Sequence, residues 1–151
     1  MTSVVRRVLA LVVEPPDEYS VETRVLDVGV VGLGAGSGAT TVARGLALEL
    51  PGDEVSDGVA PGPGGVLVAV AAPDAVPVLA ELVTERLAPH RARAVLVANR
   101  PGDPDEWGGT EAICLPSSRL AVALLARGRR ARGPFGSALR DLAGAVREAA
   151  A

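Results

Sequence analysis

The sequence contains no lysine: all 15 of its basic side chains are arginine. No step that needs a lysine, as a Schiff-base amine or as a compact charge on a phosphate, can be supplied by this chain. Aromatic residues are nearly as scarce, with one Phe, one Trp and one Tyr, so the core must be assembled from Val, Leu and Ala. The single cysteine, Cys114, excludes an internal disulfide and any multi-cysteine metal centre, and reads as a small buried apolar residue. The single histidine, His90, excludes a zinc site built on a histidine pair; behind Pro89 it reads as a solvated turn residue. After Arg6 and Arg7, the apolar stretch Val8–Val13 is too short for a membrane span or a signal h-region, so a cytoplasmic location is expected. Neither sign of charge is in large excess, with 15 arginines against 18 acidic residues. The net charge of −3 is too mild for a dedicated nucleic-acid binder.

What remains is a chain of 151 residues, expected to form one domain over 1–151. Valine-rich runs alternate with Ala/Leu-rich helical stripes, which predicts a parallel sheet covered on both faces. Val4–Val13 reads as a strand ended by Pro15 and Pro16, and Val25–Val31 as a second. A helix follows over Thr40–Leu50, with Val42, Ala43, Leu46, Ala47 and Leu50 on one face. Pro51–Gly65, rich in Gly and Pro, reads as a loop holding no core element. Val66–Ala72 is a buried strand, and Asp74 caps a helix over Ala75–Ala88. Ala94–Ala98 and Ala112–Leu115 are strands, separated by the polar loop Pro101–Gly109 with Trp107, an exposed candidate contact residue. Ser117 or Ser118 caps a helix to about Arg127, and a loop over Gly128–Gly136 precedes a last helix, Ser137–Ala150, with Leu139, Leu142, Ala143 and Val146 inward. The expected fold is α/β: a doubly wound, mostly parallel sheet of about five strands with flanking helices, in three α/β/α layers.

The chemistry-bearing segment is the turn Gly32-Leu33-Gly34-Ala35-Gly36-Ser37-Gly38-Ala39-Thr40-Thr41. Glycines let successive N–H groups curl inward as an anion nest, and the following helix adds its positive end. Thr40 or Thr41 can offer a hydroxyl to magnesium. Two nucleotide motifs compete here. A phosphate loop ends in Gly-Lys-Thr, where this chain has Gly38-Ala39-Thr40. A dinucleotide loop reads G-x-G-x-x-G/A, which Gly34-x-Gly36-x-x-Ala39 fits. The second reading also needs a strand ending in an acidic residue about 20 positions on. Asp53, Glu54 and Asp57 are near, but within the Gly/Pro loop. A third reading is a tight strand-to-helix turn with no ligand.

Three segments resemble the MinD/ParA group of deviant phosphate-loop ATPases, grouped with CobQ/CobB domains. They are Val28–Leu50 (VGVVGLGAGSGATTVARGLALEL), Val66–Leu87 (VLVAVAAPDAVPVLAELVTERL) and Ala94–Ala143, which opens AVLVANRP and continues ICLPSSRLAVALLARGRRARGPFGSALRDLA. The resemblance implies the three-layer fold, with ATP or ADP and magnesium held by Gly34, Gly36, Ser37, Gly38, Ala39, Thr40 and Thr41, and an adenine faced by Asn99. The family's signature lysine is missing near Gly34, and its second lysine is replaced by Ala39. The family's central strands, catalytic aspartate and Asp-x-x-Gly strand end are replaced by 51–65, so neither Asp53 nor Asp57 takes those roles in this reading. Arg44, a turn past the threonines, points away from the phosphates. The resemblance therefore implies the fold without the ATPase.

Arg127, Arg129, Arg130 and Arg132 form a basic cluster that reads as a solvated loop, or as a contact for phosphate, DNA or an acidic partner. The expected function is a degenerate MinD/ParA-like domain, with no ATPase activity of its own and no catalytic residue. It binds a nucleotide weakly or a protein partner such as a complete ATPase of the same family. The alternatives are a small NAD(P)-binding enzyme using Gly34-x-Gly36-x-x-Ala39 and a purely structural protein with an empty loop.

Overall fold

Val28 and Val30 stand at alternate positions of the run entering the glycine turn, and this run becomes the strand around which the sheet is laid. The computed structural model describes residues 25–34, 36–71, 93–99 and 112–151. Within them the order is β1 (Asp27–Leu33), α1 (Ala39–Glu49), β2 (Glu54–Asp57), β3 (Val66–Ala71), β4 (Ala94–Asn99), β5 (Ile113–Leu115), α2 (Arg119–Ala126) and α3 (Gly133–Ala150). The strands form one five-stranded sheet in the order β2-β1-β3-β4-β5. Every neighbouring pair is parallel. The chain leaves β1 toward β2 on one side and returns to β3 on the other, so the carboxyl ends of β1 and β3 flank the switch point where such sheets bind ligands.

Both faces of the sheet are buried, as the all-apolar run Val66–Ala71 requires; every one of its residues is buried. On one face Val28, Val30, Val68, Val70 and Val97 pack with Val42 and Leu46 of α1 and with Leu139, Leu142 and Val146 of α3. On the other, Leu33, Ala69, Ala71, Leu96 and Ala98 form a second, smaller cluster. The result is the three-layer α/β/α architecture. Gly45 lets α1 and α3 approach closely: a Cβ there would sit 2.6 Å from Leu139 Cδ1. No helix among the described residues is long and apolar enough to cross a membrane.

Most boundaries fall within two residues of expectation, and three points differ. The loop expected over Pro51–Gly65 contains β2, which pairs with β1 from Asp27↔Glu54 to Val30↔Asp57. Glu-Val-Ser-Asp carries little apolar signal because β2 is an edge strand, held by its ladder to β1 and by Val55, half-buried against the core. The last helix starts at Gly133, not Ser137, with Pro134 in its first turn, where a missing N–H costs nothing. Cys114, expected buried, is exposed; it lies on the three-residue edge strand β5, whose buried residue is Leu115. The strand expected at Val4–Val13, the helix at Ala75–Ala88, His90 and Trp107 lie outside the described residues.

Candidate functional site

β1 ends at Leu33 and α1 begins only at Ala39, and Gly34, Gly36, Ser37 and Gly38 belong to the turn between them. Gly34, Gly36 and Gly38 adopt φ of 101°, 72° and 85°, in the left-handed half of conformational space that side chains resist. Gly38 is the N-cap of α1; it contributes no side-chain cap, and the first turn holds no acidic residue. The helix therefore presents its positive end without a competing carboxylate of its own.

Two buried polar residues shape the turn. Ser37 is seated against Gly32, where a Cβ would collide with its hydroxyl, and its Oγ accepts from Ala39 N at 3.4 Å. Asn99, at the end of β4, donates from Nδ2 to Ser37 O at 2.8 Å. A Cβ on Gly38 would strike that same Nδ2. Asn99, the residue matched to an adenine contact, is thus bound to the glycine turn. Beside it opens a cavity of about 290 Å³, lined among others by Gly36, Gly38, Thr41, Asn99, Ser118 and Phe135. That is at the lower limit of small-molecule sites, roughly 300–1,000 Å³. Ser118 also caps α2, accepting from Ala121 N at 3.0 Å. Phe135, the only phenylalanine, carried no sequence signal as a cavity residue, because it enters from the start of α3.

The two threonines at the helix start part company. Thr41 faces the cavity. Thr40 donates from Oγ1 to Asp57 Oδ2 at 2.8 Å. The expectation that Asp57 sits on no strand is overturned: it is the last residue of β2, placed beside Val30 by the β1–β2 ladder. The one signal for it was its distance of about 20 residues from the glycines, a spacing without weight until a strand is known to precede it. Asp53 does not join the site. Its Oδ1 accepts from Leu26 N at 3.1 Å at the opposite end of β2.

Arg130 of the arginine cluster lies away from the turn. Arg130 donates to Leu48 O at 3.1 Å and pairs with Glu49 at 3.9 Å, while Arg147 reaches Glu49 O at 3.1 Å. These are the C-terminal carbonyls of α1, about 16 Å from its start at 1.5 Å per residue. There the cations meet the negative helix end. Arg44 is exposed on α1. Among the described residues no group of three or more His, Cys, Asp or Glu could hold a metal ion. A cation at Thr40 and Asp57 would need further oxygens from its ligand or from water. No family model, curated protein or solved structure matches this chain.

Proposed function

We propose that this chain is a degenerate phosphate-loop domain of MinD/ParA type that binds a nucleotide with magnesium weakly and acts by binding, toward a protein partner, not by hydrolysis. The observation that carries the reading is the 2.8 Å hydrogen bond from Thr40 to Asp57. In phosphate-loop proteins the hydroxyl at the helix start and a strand-end aspartate are the two groups that hold the magnesium. A hydroxyl and a carboxylate already within reach of each other, beside a glycine turn and the start of a helix, fit that ion and a phosphate chain. Magnesium would supply positive charge between phosphate oxygens. The chain's own groups would do the rest: the turn's N–H groups orient the phosphates, Thr41 and Asn99 border the nucleoside cavity, and Asn99 keeps the turn in shape. The fit stops at Ala39. It offers no charge where the motif has lysine, and phosphoryl transfer rests almost wholly on positioning and charge neutralisation.

Titration calorimetry with ADP and ATP, with and without magnesium, tests the reading. Weak binding is expected, tightened by magnesium in the wild type and not in Asp57→Asn or Thr40→Ala. Binding equally strong in all three proteins would sink it.

One observation favours a second reading. Asp57 ends a strand adjacent to β1, downstream of Gly34-x-Gly36-x-x-Ala39, which is where a dinucleotide fold carries its ribose-binding acid. The strand whose absence counted against NAD is therefore present. The engagement of Asp57 with Thr40 argues for the first reading. NAD and NADP titrations separate the two: tight NAD binding lost in Asp57→Asn without any magnesium dependence would give the site to the dinucleotide.

A further inference from the structure

Asp57 stands on weak ground for a functional carboxylate. Its strand is four residues long, lies at the sheet edge and pairs with β1 alone. The next residue begins an unusual connection. Parallel strands of one sheet are ordinarily joined by a dozen or more residues, commonly a helix. Here residues 58–65 alone carry the chain from the end of β2 across β1 to the start of β3.

They do so as a strap laid along the second face of β1. Gly58 N donates to Val30 O at 2.7 Å. Val59 O and Pro61 then pass over Gly29 so closely that a Cβ there would collide with Val59 O and sit 2.6 Å from Pro61 N. Gly62 N donates to Asp27 Oδ2 at 2.8 Å. Gly65 N closes a turn on Gly62 O at 3.0 Å, and β3 starts beside Val28. Left-handed glycines stand near both ends, Gly58 at φ 79° and Gly64 at φ 82°. The strap thus retraces β1 from Val30 to Asp27, with Asp57 at its upper end and the Asp27 carboxylate gripping it lower down.

We propose that Gly29 and Asp27 are positioning residues: by seating the 58–65 strap on β1 they hold the Asp57 carboxylate against Thr40, and so set the strength of divalent-cation binding at that pair. This rests on the reading of Thr40 and Asp57 as a magnesium pair. Neither Asp27 nor Gly29 touches the glycine turn, so nucleotide binding without the metal should not depend on them. Asp27→Ala frees Gly62 N in the middle of the strap, while Arg93 Nη1 still donates to Gly64 O at 2.9 Å near its end. Asp27→Asn keeps an oxygen able to accept from Gly62 N. Gly29→Ala lifts the strap directly.

The test is calorimetry of the full chain with ADP in EDTA and in excess magnesium, comparing the ratio of the two affinities. In the wild type magnesium is expected to tighten ADP about tenfold, the scale of one charge-assisted contact. In Asp27→Ala the ratio should fall to about twofold or less while the EDTA affinity is unchanged, and in Asp27→Asn most of the ratio should return. Asp27→Ala combined with Asp57→Asn should lose no more than Asp57→Asn alone, since both act on one carboxylate. Asp27→Ala with an undiminished ratio, when Asp57→Asn abolishes it, overturns the positioning role and leaves the site reading intact. A wild type that binds ADP with no magnesium effect overturns the site reading and this inference with it. If Gly29→Ala does not fold, the Asp27 pair decides; if it folds, it should behave as Asp27→Ala.

Discussion

The side-chain amide of Asn99 and the main-chain oxygen of Ser37 meet at 2.8 Å, joining the end of β4 to the glycine turn across 62 residues of sequence. Both residues are buried, each only 6% exposed. A lone acceptor at that depth, left without its donor, costs the desolvation of the group and not merely a bond. The turn's shape thus depends on a strand that no local rule connects to it.

Asn99→Ala should therefore destabilise the protein by about 1–3 kcal/mol, the penalty for an unsatisfied buried carbonyl. Asn99→Asp should cost more at neutral pH, because an ionised carboxylate can only accept and would face the Ser37 oxygen. Acidification should recover part of that loss as the carboxyl gains a proton to donate. Urea unfolding of both variants at neutral and acid pH checks the order.

Intrinsic ATP hydrolysis should be indistinguishable from the uncatalysed background. Ala39 leaves the phosphates without the charge on which transfer depends, and the chain holds no lysine to replace it. A coupled phosphate-release assay on purified protein is sufficient; turnover abolished by Thr40→Ala would falsify the disabled site.

Ala39→Lys should restore affinity without activity. The residue opens α1 directly after the left-handed Gly38, so a side chain there starts beside the turn. A well-placed charge-assisted hydrogen bond contributes roughly 1.5–3 kcal/mol, which is about ten- to a hundredfold in ADP affinity. If the site takes a dinucleotide, the same lysine should crowd the helix–strand contact and weaken NAD instead. Paired titrations with ADP and NAD distinguish the outcomes.

Gly45→Ala should destabilise by about 1–3 kcal/mol through overpacking, since the added methyl meets Leu139 Cδ1 at 2.6 Å. Combining it with Leu139→Ala should cost less than the two changes summed, because the methyl then occupies space that the leucine vacated. A double-mutant cycle by thermal unfolding gives the coupling; strict additivity would show that α1 and α3 do not meet there.

Most of the fold was legible without coordinates because its signals are local. Val66–Ala71 is buried on both faces, and a strand in that position shows as an unbroken apolar run. Leu139, Leu142, Ala143 and Val146 recur at helical spacing, and all four are buried on α3. The glycines at 34, 36 and 38 marked a tight turn from strand to helix, and all three adopt the positive φ that glycine alone takes freely. The absence of lysine was equally decisive for chemistry, because no fold can supply a side chain that the sequence omits.

Tertiary structure alone decided where the polar groups meet. Glu54–Asp57 shows no period of its own and becomes a strand because β1 offers it a free edge. That pairing turns Asp57 from a loop carboxylate into the partner of Thr40. Asn99 could be matched by motif, but only the close approach of β4 to the turn makes its amide the clasp on Ser37. Arg130, one of the arginines read as a cluster by sequence, is drawn to the carboxyl end of α1 by its exposed carbonyls. Apolar periodicity is written in neighbouring residues and can be read from them. A hydrogen bond between residues far apart exists only once the sheet has brought their strands together.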